Sequence, residues 1–146
     1  MKYKDPTPGV GIVIFNKSGN ILLIQRNGKR AGGKGLWSPP GGFINHGEHF
    51  FDAAKRETKE EVGLKIKNLK VLAVTDDQYN KKKHCITIWV KSNNFSGKIK
   101  ADKEEVANVM WCYPKNLIKG MYLPFQNLIK TDEWKEELQK FKNSTN

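Results

Sequence analysis

GFINHGEHFFDAAKRETKEEVGL, residues Gly42 to Leu64, is the stretch from which the rest of the chain can be read. It opens on a glycine turn, passes an acidic loop residue at Glu48, and continues as a helix from about Phe50 to Val62 that Gly63 ends. Glu57, Glu60 and Glu61 are three, four and one positions apart, which puts them on one helix face. Phe50, Phe51, Ala53, Ala54, Thr58 and Val62 supply apolar or neutral positions for packing. Three bare carboxylates side by side repel one another and add nothing to a helix. A hard divalent cation removes that penalty, because it takes oxygen ligands and keeps several waters. Arg56 stands four residues before Glu60, the spacing of a side-chain ion pair. Gly41, Gly42 and Gly47 let the backbone turn sharply and approach a ligand closely. On charge pattern alone a solvated acidic face competes with a metal site.

A chain of 146 residues with 38% apolar residues, 4 Trp, 7 Phe and 4 Tyr can bury a real core, which argues against global disorder. We read one domain over residues 1–146, with a loose lead-in at 1–7 and a frayed tail at 142–146. The net charge of +11 suits an anionic partner: nucleic acid, an anionic membrane or an anionic small molecule. Lysines scattered as Lys65, Lys67, Lys70, Lys81, Lys82 and Lys83 are also what a solubilising surface looks like. Cys85 and Cys112 fall in expected strands without zinc spacing, and read as reduced thiols. MKYKDPTPGV has no apolar signal region, and no apolar run reaches membrane-spanning length. The expectation is a cytoplasmic protein without membrane association.

Outside the helix the chain is rich in strands. Gly9–Phe15 and Ile21–Arg26 flank a turn at Asn16–Asn20 and read as a hairpin. Asn27–Gly35 is a basic, glycine-rich loop. Ile66–Thr75, His84–Val90 and Asn108–Tyr113 read as further strands, with a polar link at Asp76–Lys83, a turn-prone link at Lys91–Gly97 and an acidic loop at Ala101–Glu105. Short helical turns are expected within Lys115–Ile118 and Pro124–Lys130. A last helix, capped by Thr131-Asp132, carries a core stripe of Trp134, Leu138 and Phe141. Strands that outnumber interspersed helices define a mixed α/β or α+β domain around a central sheet.

The central stretch resembles the Nudix hydrolase signature, G-x5-E-x7-R-E-U-x-E-E-x-G-U, where U is a bulky aliphatic or similar residue. Gly42, Glu48, Arg56-Glu57, Glu60-Glu61, Gly63 and Leu64 fill every fixed position, and Thr58 at a U position is a mild departure. GVGIVIF, KGLWSPPGGF and HCITIWV are similar in character to the MutT-type nucleotide branch. The resemblance implies an α/β/α sandwich with a mixed central sheet and a loop-helix-loop catalytic motif. It implies Mg²⁺, with Mn²⁺ as a substitute, held by Glu57, Glu60, Glu61 and the Gly42 carbonyl. It implies catalysis by Arg56, Glu57 and Glu61: Glu57 or Glu61 orients or deprotonates the water, and Arg56 positions a glutamate. Glu48 matches a position that supports the metal shell. Glu104 and Glu105 are candidates for a further acid.

The reaction implied is hydrolysis of a nucleoside diphosphate linked to a group X. For a (deoxy)nucleoside triphosphate the products are the monophosphate and pyrophosphate. The absence of proline between Leu64 and Tyr113 argues against the ADP-ribose branch. Tyr79 leaves diadenosine polyphosphates as an alternative, and the charge leaves an RNA 5′-end pyrophosphohydrolase or a basic RNA-binding or regulatory protein on the same scaffold. Arg26 ends a strand where an anionic ligand can meet it. Phe125, Gln126 and Asn127 offer an aromatic face and amide edges for reading a base. Both a monomer and a homodimer fit the sequence.

Overall fold

The computed structural model describes residues 5–29, 32–117 and 119–144, the last four by backbone. Residues 1–4, Arg30, Ala31, Ile118, the Phe141 side chain and the end of the tail, to which several expectations refer, lie outside the described residues. In chain order the elements are β1 (Thr7–Ile14), β2 (Ile21–Arg26), β3 (Trp37–Ser38), β4 (Gly41–Phe43), α1 (Phe50–Val62), β5 (Lys65–Lys67), β6 (Lys70–Gln78), β7 (His84–Ser92), β8 (Asn94–Ser96), β9 (Val106–Cys112), α2 (Leu123–Ile129) and α3 (Asp132–Ser144).

β1 and β2 are apolar on both faces, and that decides the architecture. Ile12 and Ile14 of β1 and Leu22 and Ile24 of β2 pack with Ala53, Ala54 and Val62 of α1. The alternate residues Val13, Ile21 and Leu23, with Phe15 just past β1, pack with Phe125, Leu128 and Trp134 of α2 and α3. Strands covered by helices on both sides read as continuous apolar runs. The result is the expected α/β/α sandwich.

The expected β1–β2 hairpin is not formed. Among the described residues, the only β pairing between the two segments is the isolated bridge Phe15–Ile21, just past β1. β1 instead lies antiparallel to β4 and parallel to β7, in a mixed sheet ordered β4-β1-β7-β6. β2 belongs to a second sheet ordered β3-β2-β9. The split gives each strand hydrogen-bonded partners on both edges, in the middle of its own sheet, while the helices cover its faces. The strand expected over Ile66–Thr75 is two strands, β5 and β6, broken at Asn68, which adopts a positive φ of 55°. β6 runs on to Gln78, into the link expected at Asp76–Lys83, and β8 forms within the link expected at Lys91–Gly97. Thr7 pairs with Cys85, so its part of the expected lead-in is already strand. Lys115–Leu117 form no helix.

α1 has the limits expected of it. His49 Nδ1 accepts the Phe51 N–H at 3.0 Å, capping the N-terminus. Gly63, with φ 77°, closes the C-terminus by donating to the Lys59 carbonyl at 3.1 Å. Thr131 caps α3, its hydroxyl oxygen accepting the Trp134 N–H at 3.2 Å. Cys85 and Cys112 are free thiols. No helix among the described residues is long and apolar enough to cross a membrane.

Candidate active site

Arg56 organises the acidic face of α1. Its guanidinium donates to both oxygens of Glu48, at 2.9 and 3.0 Å, to Glu57 Oε1 at 2.8 Å, to Glu60 Oε2 at 3.3 Å and to the Phe43 carbonyl at 3.0 Å. A planar fork with five donors suits this task, and an ammonium does not. Arg56 and the Asn45 N–H hold the Glu48 carboxyl down at about 2, and Glu48 in return raises the guanidinium pKa further. Replacing Arg56 by Lys removes the fork. We expect kcat to fall by roughly 10- to 100-fold with a smaller change in KM, because the arginine orients Glu57 without touching substrate. Steady-state turnover measures both constants. A wild-type kcat in Arg56→Lys would show that the fork has no catalytic role.

Glu57 and Glu61 turn inward from this network. Glu61 is only 3% exposed and its Oε1 accepts the Gly41 N–H at 2.8 Å. Glu57 lies so close to Gly42 that a Cβ there would meet its carboxylate at 2.3 Å. A side chain on Gly41 would strike the Val10 carbonyl at 2.5 Å. The two glycines thus let the loop lie flat between β1 and the glutamates. Glu60 stays outside, its side chain 55% exposed.

The acidic loop brings in a third carboxylate. Lys100 N–H donates to the Val62 carbonyl at 2.8 Å and Asp102 N–H to the Glu61 carbonyl at 2.9 Å, which ties the loop to the end of α1. The Asn27 N–H donates to the Glu105 carbonyl at 3.1 Å, which ties it to the end of β2. Glu105 therefore lines the same cleft as Glu57 and Glu61, whereas Glu104 is exposed beyond it. Burial raises the pKa of Glu57, opposed by Arg56 and reinforced by Glu60 and Glu105. Burial raises Glu61 well above the ordinary range, opposed by the Gly41 N–H and reinforced by Glu57 and Glu105.

Those mutual repulsions are the chemistry a cation relieves, so the donor set fits a divalent metal ion. In the arrangement present, no three Asp, Glu, His or Cys side chains among the described residues are grouped tightly enough to grip an ion, and Arg56 holds an oxygen of Glu57 and of Glu60.

The cleft has a volume of about 230 Å³. Its lining is also aromatic and basic. Arg26 lies over the Tyr122 ring, 4.1 Å from its centroid, and Lys83 lies 4.2 Å from the Tyr79 centroid while donating to the Tyr122 hydroxyl at 3.3 Å. Arg26 is thus placed in the cleft. The base-reading trio is not. Phe125 is 0% exposed, wedged against Trp89 and Trp134, and has no free face for a base. This corrects the stacking expectation; its apolar ring is worth more in the core between sheet and helix. Gln126 turns back to the Met121 carbonyl at 2.6 Å, and Asn127 donates to Asp77 Oδ1 at 2.9 Å. The aromatic faces come from Tyr79, weighed above for another reason, and from Tyr122, which carries no signal beyond its place before the Leu-Pro start of α2.

The family model described as NUDIX domain matches residues 5–137. The chain belongs to the Nudix hydrolase family. Over 68 residues it is 46% identical to the RNA pyrophosphohydrolase of Proteus mirabilis (strain HI4320), a match covering 47% of this chain and 36% of that protein. It is 35% identical over 65 residues to Nudix hydrolase 2 of Arabidopsis thaliana, covering 44% of this chain and 23% of that one. The matches thus span about a third or less of these curated relatives' length. Among solved structures, the MutT NUDIX hydrolase from Burkholderia pseudomallei superposes with a TM-score of 0.80 at 25% identity, covering 88% of this chain and 99% of that one. The MutT protein from Methanosarcina mazei Go1 also gives 0.80, at 19% identity and 97% and 99% coverage, a likeness of fold.

Proposed function

We propose that this chain hydrolyses a phosphoanhydride bond in a nucleoside diphosphate linked to X, with a (deoxy)nucleoside triphosphate as substrate and its monophosphate and pyrophosphate as products. The carrying observation is the cleft that gathers Glu57, Glu61 and Glu105 with Arg26, Lys83 and the rings of Tyr79 and Tyr122. A polyanion with a flat base at one end suits that lining.

Nudix hydrolases in general use a divalent metal ion. Glu57, Glu61, Glu105 and the Gly42 carbonyl are the groups that would hold it, with Glu60 at the rim, and Mg²⁺ is the ion we propose. Such an ion supplies charge neutralisation at the phosphate oxygens and a more acidic water. The chain's own groups do the rest. Arg56 fixes the Glu57 carboxylate and the Gly41 N–H fixes Glu61. A carboxylate of this pair takes the proton of the attacking water as its oxygen bonds to phosphorus and the bridging P–O bond breaks. Arg26 and Lys83 offset charge on the departing phosphates.

RNA bearing a 5′-triphosphate is a second substrate class, favoured by the likeness to proteins named RNA pyrophosphohydrolase and by the +11 charge. A panel of nucleoside triphosphates, oxidised deoxynucleotides, ADP-ribose, a diadenosine polyphosphate and 5′-triphosphorylated RNA, run with Mg²⁺ and with EDTA, tests the reading. Pyrophosphate released from a triphosphate and abolished by EDTA is the expected result. Turnover confined to the RNA, weakening steeply with salt, would move the function to that class. Silence across the panel from folded, metal-loaded protein would overturn the reaction.

A further inference from the structure

Thr87 lines the cleft on β7, 7% exposed, and nothing in the reaction above uses it. Its hydroxyl donates its one proton to Asp77 Oδ2. Asp77 is fully buried on β6, and its other oxygen accepts from Asn127 Nδ2 of α2 at 2.9 Å. A hydroxyl has one proton to give. The proton of Thr87 is therefore committed inward, and the hydroxyl offers the cleft lone pairs alone.

The surroundings place this acceptor in the same cleft as the glutamate loop, one strand away from the Gly42 carbonyl. A Cβ built on Gly9 would stand 3.2 Å from the Gly42 carbonyl oxygen and 4.0 Å from Thr87 Oγ1, so Gly9 is bare floor between the glutamate loop and Thr87. Phe43 pairs with Gly9 and Gly9 pairs with Thr87. The Gly42 carbonyl oxygen and Thr87 Oγ1 therefore stand no more than about 7 Å apart, across the single strand β1. Tyr79 and Tyr122, with ring centroids 5.6 Å apart, stand along the same cleft and are held by Lys83 and Arg26.

We infer that Thr87 is a specificity-determining residue whose fixed acceptor selects nucleobases with an exocyclic amino group at the edge facing β7, and disfavours those with a carbonyl oxygen there. Asp77 and Asn127 are positioning residues that keep the hydroxyl pointed inward. The inference rests on the nucleotide reading above. It names adenine and cytosine as favoured over hypoxanthine and uracil, pairs of nearly equal shape that differ in this group. A donor meeting an acceptor gains a hydrogen bond, and a carbonyl meeting an acceptor leaves two lone pairs opposed.

The test is the ratio of kcat/KM for ATP over ITP and for CTP over UTP. The wild type should favour the amino-bearing partner by about tenfold, mostly through KM. Thr87→Val, close in shape, should bring both ratios near one, and Thr87→Ser should restore them. Asp77→Asn gives the threonine a partner that can itself donate, frees its proton, and should lower the ratios too. Wild-type ratios near one, or ratios unchanged in Thr87→Val, would overturn the inference. Ratios that collapse in Thr87→Val but persist in Asp77→Asn would remove Asp77 from it. Calorimetric binding of ADP against IDP in EDTA reads the same preference without turnover. An inactive protein that still prefers ADP, and loses that preference in Thr87→Val, defeats the reaction and leaves base selection standing; equal binding of ADP and IDP by the wild type defeats the selection.

Discussion

Glu61→Gln lowers kcat by roughly 100- to 1,000-fold and, without metal, makes the folded protein more stable at neutral pH. Both halves follow from one placement. Glu61 is buried, with its Oε1 fixed by the Gly41 N–H, and its neighbours Glu57 and Glu105 are acidic. Glutamine keeps an oxygen for that N–H and removes the charge needed for metal and proton. The folded state binds the Glu61 proton more tightly than the unfolded chain, because burial raises this pKa well above the ordinary value. The resulting contribution to stability is complete below about pH 4 and is lost as pH climbs through the window from there to the raised folded value. Above that window the wild type carries the whole cost of a buried charge, and the variant carries none of it. Melting curves in EDTA should show the variant ahead at pH 8, with the gap closing towards pH 4. Added Mg²⁺ should raise the wild-type Tm more than the variant's, because only the native state with its full charge set binds the ion well. A variant that melts lower at every pH in EDTA would make Glu61 a structural partner of the glycine loop and nothing more.

Glu57 and Glu61 were legible because helical spacing alone sets them on one face, and the helix announces both ends, at the loop before Phe50 and at Gly63. Glu60 shares the spacing but not the environment; only the packing of α1 against β4 and β1 separates an inward Glu61 from an outward Glu60. The strands within β1 and β2 were legible from composition, but their partners were not. Doubly buried strands carry no alternation that marks a register, and a short turn between them suggests a hairpin that the layered fold does not use. In β7 the alternation Cys85, Thr87, Trp89 shows a shared face, yet nothing in the sequence says that this face floors the cleft. Asp77 was hidden for a different reason. Asp76 and Asp77 look like a polar link, and only the pairing of Asp77 with Cys85, beside Thr87, turns one of them into a buried carboxylate.

The same limit applies to Phe125, and its replacement separates core from binding site. Phe125→Ala should cost about 3–5 kcal/mol of folding stability and lower Tm by roughly 10–15 °C. The ring is wholly buried, 6.4 Å from Trp89 and 5.8 Å from Trp134 between centroids, so its loss opens a cavity that β7, α2 and α3 cannot close without moving. Leucine refills most of that space, so Phe125→Leu should recover most of the lost Tm. A base-stacking residue behaves in the opposite way. Its truncation would raise KM for the nucleotide with little change in Tm, and leucine, having no aromatic face, would not restore it. Thermal melts and KM measured on the two variants therefore decide the matter. A large KM increase in Phe125→Leu at unchanged Tm would return Phe125 to the binding site, and a recovered Tm with a wild-type KM would fix it in the core that holds α2, and with it Asn127, against the floor of the cleft.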